Sequence, residues 1–316
     1  MKTEQIVVLC IAIACITLAA FHETSAGPPK VLRTEITTEI LTIGLYRPRI
    51  WMFLNDSETN TRVWSDFMSR SSNVINIPLL NLCYETVLKH NGQTYQIEII
   101  GGLQRVAELL GGWEALPKYM SNPKASVNEP EEDWIRSAIL AKYGGLWLSP
   151  SVLCLKPFGE LPTDKIVAFG QDYSSMYGSA IPGFRALWAP KPDHPVFVEM
   201  EKRCRSRLET QTGGRQVRGD SKSDWLELVT PDIEYRVKEE LGRDPKTNKK
   251  LDLEHIFASG TGGRLPFDIP ECAVYVPIPY DDLVNRRMFG WILRSSQDQI
   301  MESDLAIRYI IEKALS

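Results

Sequence analysis

Apolar positions change their period once between residues 128 and 151. Ile135, Ala138 and Ile139 recur at helical spacing and share one face. Asn128 offers a cap, Pro130 stands in the first turn, and Glu131, Glu132 and Asp133 set acids at the positive end of the dipole. Asp133 and Arg136 are three residues apart, neighbours on an adjacent face near the start of that helix. There a polar side chain is expected to cost little stability on removal. Gly144-Gly145 closes the helix, because glycine accepts the left-handed backbone common at helix ends. Leu146-Trp147-Leu148 then reads as a buried strand. Pro150 has no N–H for a ladder, so Ser149-Pro150-Ser151 opens into a loop.

The same reading extends along the chain. Residues 49–55 predict a strand, 81–90 a helix ending at the Asn91-Gly92 turn signal, 96–100 a strand and 103–110 a helix. Strands alternating with helices argue for an α/β fold with a parallel sheet. Ligands collect at the carboxyl ends of such strands, where Ser149-Pro150-Ser151 falls. Later, 165–170 and 274–278 read as strands, and 195–208 as a helix turning Phe197, Met200 and Cys204 inward. A helix pair broken at Thr230-Pro231 is expected over 224–241, a surface loop over 243–250, and a terminal helix over 304–315.

Residues 6–21 form an almost unbroken apolar run, followed by the small residues Thr24-Ser25-Ala26. The run is short for a span of roughly 20 residues and a little long for a secretory signal. It therefore reads as a signal anchor or a cleaved signal over 1–26, and either sends the chain into the secretory route. Gly27-Pro28-Pro29 begins a stem over 27–45, leaving 46–316 as the globular part. Of six cysteines, Cys83, Cys154, Cys204 and Cys272 fall in that part, where disulfides and buried thiols are both open. Asn55-Asp56-Ser57 is a formal glycosylation acceptor. A net charge of −4 argues against nucleic acid as a partner, and four scattered histidines argue against a structural zinc site.

The segment from Asp133 to Pro157 resembles the core of the GT-A sugar transferases with capsular-polysaccharide-synthesis or OCH1-like mannosyltransferase domains. Their pattern is D-x-x-R, then Y-G-G, an apolar strand, Asp-x-Asp or Asp-x-Thr, and K-P. Asp133, Arg136, Tyr143, Gly144, Gly145, Lys156 and Pro157 stand in register with it, whereas Ser149 and Ser151 occupy the two positions of the Asp-x-Asp. The stretch 177–195 is also similar to a turn that precedes a long helix in these families. The resemblance implies a GT-A, Rossmann-like sheet, a nucleotide-sugar donor and a glycan or glycoprotein acceptor. It further implies that Asp133 takes donor-sugar hydroxyls and that Arg136 contacts the sugar or the diphosphate. An aromatic near the end of the first strand stacks on the base in these families. Trp51 and Phe53 are available for that, although Leu54 holds the matching place.

Departure of a nucleoside diphosphate gathers negative charge that something cationic must meet. Manganese or magnesium held by Asp-x-Asp is the family's means, and two serines supply neither charge nor strong ligands. Three readings follow: a metal-independent transferase, a metal held elsewhere (Asp172 being a candidate), or an inactive scaffold that binds a glycan or a partner. Thr212-Gly213-Gly214-Arg215 and Thr261-Gly262-Gly263-Arg264 repeat one tetrapeptide. Glycine-rich turns expose N–H groups, which makes Arg215 and Arg264 candidates for the diphosphate. Asp133, Arg136, Tyr143, Ser149, Ser151 and Trp51 are the candidate donor-binding residues. A donor-binding transferase is favoured, because a scaffold without a donor has no chemical need of Asp133 and Arg136 in that register.

Overall fold

The computed structural model describes residues 47–55, 77–122, 125–174, 179–210, 221–228, 233–260 and 265–316. The expected anchor or signal and the stem lie outside them, as do Arg215 and Arg264. Among the described residues no helix is long and apolar enough to cross a membrane.

Strand β1 (Arg49–Leu54) leads to α1 (Pro78–Asn91), β2 (Gln96–Gly101) and α2 (Gly102–Leu110). Helix α3 (Glu129–Tyr143) follows, then β3 (Gly145–Leu148), the short β4 (Val152–Cys154), β5 (Ile166–Ser174) and β6 (Ser179–Ala189). Beyond them come α4 (Pro195–Glu209), α5 (Ser221–Leu228), β7 (Ile233–Arg236), α6 (Leu253–Ile256), β8 (Tyr275–Pro277), α7 (Tyr280–Asn285), α8 (Gln297–Glu302) and α9 (Ala306–Leu315).

Six strands make the main sheet in the order β2-β1-β3-β6-β5-β7, and β4 pairs with β8 in a second. β2, β1 and β3 are parallel to one another; β6 runs against both β3 and β5, and β7 is parallel to β5. One reversed strand in an otherwise parallel sheet agrees with the α/β reading. Ile50 and Met52 face one apolar layer with Leu146 and Leu148, while Trp51, Phe53 and Trp147 face the other with α3 and α4. Both faces are dry, as a sheet covered by helices requires.

The Gly144-Gly145 junction sets the angle from α3 into β3. Both residues have positive φ (63° and 96°), and a Cβ would stand 2.9 Å from the Lys191 carbonyl carbon at the first and 2.7 Å from the Arg49 oxygen at the second. No other residue type meets both conditions without strain. The expected helix pair over 224–241 is corrected: α5 ends at Leu228 and β7 joins the sheet edge beside β5. Ile233-Glu234-Tyr235-Arg236 carries a β-branched residue and an aromatic in alternation, and pairing with Ile166–Phe169 overrode the local helical reading. The described cysteines are free thiols; Cys83, Cys154 and Cys204 are buried and Cys272 is exposed.

Candidate functional site

The carboxyl ends of β1 and β3 open into a cavity of about 610 Å³. Its walls come from the end of β1 (Phe53, Leu54, Asn55), the first turns of α3, the Ser149-Pro150-Ser151 loop, Phe184 and Arg185 of β6, Lys222 of α5, Lys250 and the start of α7. A cavity beyond the strand ends of a mostly parallel sheet is where such folds hold ligands.

Asp133 and Arg136 line it from within α3 and are 7% and 5% exposed. The Arg136 guanidinium donates to Asp133 Oδ1 and lies over the Phe184 ring, 4.5 Å from its centroid. Ser221, the buried first residue of α5, donates from Oγ to Asp133 Oδ2. Both carboxylate oxygens therefore have partners, and the Asp133 backbone oxygen accepts from Ser137 Oγ at 2.7 Å. The expectation that Asp133 sits near an exposed helix end, where its loss is cheap, is corrected here. Packing of β6 and α5 against the first turns of α3 covers it, which periodicity within α3 could not show.

Ser149 and Ser151 stand side by side on the cavity wall, their Oγ atoms 3.1 Å apart and hydrogen-bonded. Their backbones are held as firmly: Ser149 N–H donates to Arg185 O (2.7 Å), and Ser151 O accepts from Ile278 N–H (2.8 Å). Two neutral hydroxyls bonded to each other are not the donor set of a hard divalent cation. Among the described residues no group of three His, Cys, Asp or Glu side chains is arranged to hold a metal ion. Asp172 lies in β5, in register with Ile181 of β6, and its side chain falls outside the described ones.

Trp51 and Tyr143 stand apart from the cavity lining. The Trp51 indole N–H donates to Gly144 O at 2.8 Å, its ring centroid is 5.3 Å from that of Tyr143, and the Tyr143 hydroxyl donates to Leu109 O. β1 alternation turns Trp51 beneath α3, so it braces the Gly144 turn. Phe53, on the same face but nearer the strand end, is the β1 aromatic that reaches the wall. Lys156 does not line the cavity either; its Nζ donates to Glu271 O. Asn55 lines it with its amide donating to Val127 O at 3.1 Å, a half-buried setting at odds with an open glycan acceptor.

Several lining residues escaped the sequence reading. Lys222, Lys250, Arg185 and Phe184 arrive from elements remote in sequence, so no local spacing could announce them; Phe184-Arg185 does sit within the family-like stretch 177–195. Arg185 is 3.3 Å from Glu240, and Lys222 is 3.9 Å from Glu129. Glu132, Asp281 and Asp282 add negative charge on the side formed by α3 and α7. Burial is the main cause that pushes the Glu132 carboxyl up from 4.5 to about 7; Arg136 opposes the rise, while Asp133, Asp281 and Glu129 add to it.

No protein-family model matches the chain. No curated protein matches it either. Among solved structures it is similar to one described as "PaToxG Glycosyltransferase", with 15% sequence identity and a TM-score of 0.31. That likeness covers 52% of this chain and 61% of the other, so the chain spans less than two thirds of the protein it matches. A likeness of this extent carries no argument about activity.

Proposed function

We propose that the protein transfers a sugar from a nucleoside diphosphate donor to a glycan or glycoprotein acceptor, without a resident divalent cation. One observation carries this reading: an aspartate and an arginine in D-x-x-R spacing are buried together yet line a cavity at the strand ends. A structural ion pair could sit anywhere on α3, and burying one without need is a poor route to stability. Placed on a cavity wall with Phe184 beneath the guanidinium, the pair offers one oxygen-rich and one cationic surface to a sugar and its phosphate. Lys222, Lys250 and Arg185 supply further positive charge on the same walls, where a departing diphosphate needs it. They replace the divalent ion in this proposal, and Arg215 and Arg264 remain proposed additional diphosphate ligands.

Thermal melting of the full chain tests the reading. UDP-glucose, UDP-N-acetylglucosamine and GDP-mannose are each added in the presence of EDTA. Ligand at a hundredfold over its Kd stabilises by about 2.7 kcal/mol. At about 2–4 °C per kcal/mol for a domain of this size, at least one donor should raise Tm by roughly 5–10 °C. No shift with any donor, with or without manganese, would leave a scaffold that binds another partner.

A further inference from the structure

From the contacts behind the cavity wall we infer that Glu240 is a positioning residue for the donor diphosphate, holding the Arg185 guanidinium in place on that wall. The inference rests on the proposed donor site and adds to it a residue outside the cavity lining that the D-x-x-R motif does not carry.

Arg185 stands on the cavity wall in β6, with its side chain 33% exposed. Its guanidinium donates to Glu240 Oε1 at 3.3 Å. Glu240 follows β7 and the short turn Val237–Glu239, and its side chain is only 10% exposed. Tyr275, fully buried, donates its hydroxyl to Glu240 Oε2 at 2.7 Å. The carboxylate thus bridges a buried tyrosine to the wall arginine. The backbone around it is tied down on both sides: Val274 N–H donates to Glu239 O (2.8 Å), and Leu241 N–H to Tyr275 O (2.9 Å).

Room for this carboxylate is built into the chain beside it. Gly170 of β5 has a φ of 74°, and a Cβ there would stand 2.5 Å from Glu240 Oε2. A Cβ at Gly242 would stand 2.9 Å from Oε1. The pairing of β5 with β6 shifts register at the same point, between Phe169 and Gln171. A side chain at Gly170 would push the carboxylate off its place against Arg185. An ion pair that only decorates a surface needs no such cradle.

Two effects of Glu240 on an anion oppose each other. An arginine already in place spares a diphosphate the entropy of ordering that side chain. The carboxylate also offsets part of the charge it holds. Placement decides between them: Glu240 has no part in the lining, so an anion in the cavity meets the guanidinium and not the carboxylate. A guanidinium has five N–H donors, so one bond to Glu240 is compatible with a bidentate hold on a phosphate. The backbone of Arg185 adds a second tie, since its oxygen accepts the Ser149 N–H at 2.7 Å and fixes the start of the serine loop to the same residue.

Calorimetric titration of the full chain in EDTA, with UDP and GDP as probes, tests the assignment through a double-variant cycle. Arg185→Ala should weaken the diphosphate that binds by at least about tenfold, the loss of a hydrogen bond to a charged group. Glu240→Gln should weaken it about three- to tenfold, the range for a side chain that must be ordered on binding. In the Arg185→Ala background, Glu240→Gln should change the affinity by less than about twofold, because its effect passes through the guanidinium. A merely structural loss would weaken both backgrounds alike. Tm is read for every variant. If Glu240→Gln melts below the titration temperature, Tyr275→Phe, which removes only the donor that fixes the Glu240 carboxylate, takes its place with the same pattern expected. Unchanged or tighter binding by Glu240→Gln, an equal loss in both backgrounds, or unchanged binding by Arg185→Ala overturns the role of Glu240 and leaves the donor site standing. A wild type that binds neither UDP nor GDP overturns both.

Discussion

Removing the Asp133 carboxylate should unfold this protein more readily than the position of the residue in sequence suggests. In Asp133→Ala the Arg136 guanidinium keeps its place over Phe184 but loses its counter-ion in a site where it is only 5% exposed. Breaking a buried pair by deleting one partner costs about 3–5 kcal/mol, because the remaining charge stays desolvated. Ser221 loses its acceptor as well, which adds about 1 kcal/mol. For a unit of this size the sum corresponds to a fall in Tm of roughly 8–24 °C. Arg136→Met removes the stranded charge while keeping an apolar stem against Phe184. Asp133→Ala/Arg136→Met should therefore cost about 2 kcal/mol less than the sum of its single variants. Urea unfolding of the full chain, followed by fluorescence of its eight tryptophans, measures each corner of the cycle. A loss below about 1 kcal/mol for Asp133→Ala, or strict additivity in the double variant, would refute a buried pair that depends on both members.

Other predictions follow from the same contacts. Glu132 has a folded pKa near 7, above its ordinary 4.5, so the folded state binds the proton more tightly. Its contribution is full below about pH 4.5 and lost as pH rises through 7; after solvent screening of a half-buried group this amounts to about 1–2 kcal/mol. A urea series from pH 4.5 to 8 should show that slope in the wild type and a shallower one in Glu132→Gln; equal slopes would place the carboxyl in free solvent. Gly145→Ala puts a methyl 2.7 Å from the Arg49 oxygen at a φ of 96° and should cost at least about 2 kcal/mol by the same unfolding assay. Trp51→Phe removes the indole bond to Gly144 O, lowering stability by about 1–2 kcal/mol while donor affinity stays at the wild-type value. A large loss of affinity in calorimetry would restore a base-stacking role for Trp51. Replacing Ser149 and Ser151 by aspartates should weaken donor binding in EDTA and recover part of it with manganese, a response the wild type should lack.

The order of elements was legible because the chain announces it locally. Asn128, Pro130 and the glycine pair bound α3, and the unbroken apolar runs of β1 and β3 mark strands buried on both faces. The 233–236 strand was hidden because its four residues acquire their identity from the β5 edge, and a proline nearby suggested only a helix break. At the site, the sequence offered Asp133, Arg136, Ser149 and Ser151, and all four line this cavity, since the chain doubles back at Gly144 and brings the start of α3 beside the end of β3. Tyr143 stood in the family register and Trp51 was an available aromatic of β1, yet both serve packing around Gly144: in β1 a shift of two positions along one face separates a core ring from a wall ring. Lys222, Lys250 and Asp281 could not be foreseen, because tertiary contacts alone bring α5, the 243–250 turn and α7 to the mouth of β3.

Calorimetric titration of the full chain with a nucleoside diphosphate sugar, first in EDTA and then in manganese, addresses the central proposal most directly. A cation-free cavity walled by Arg136, Arg185, Lys222 and Lys250 predicts saturable binding in EDTA and an affinity that manganese changes by less than about threefold. Lys222→Ala should weaken binding in both buffers, since its ammonium would face the diphosphate. Binding that disappears in EDTA and returns with manganese would contradict the account and send the search for ligands to Asp172 and other carboxylates. Heat too small to fit with every donor, in either buffer, would contradict the donor site itself.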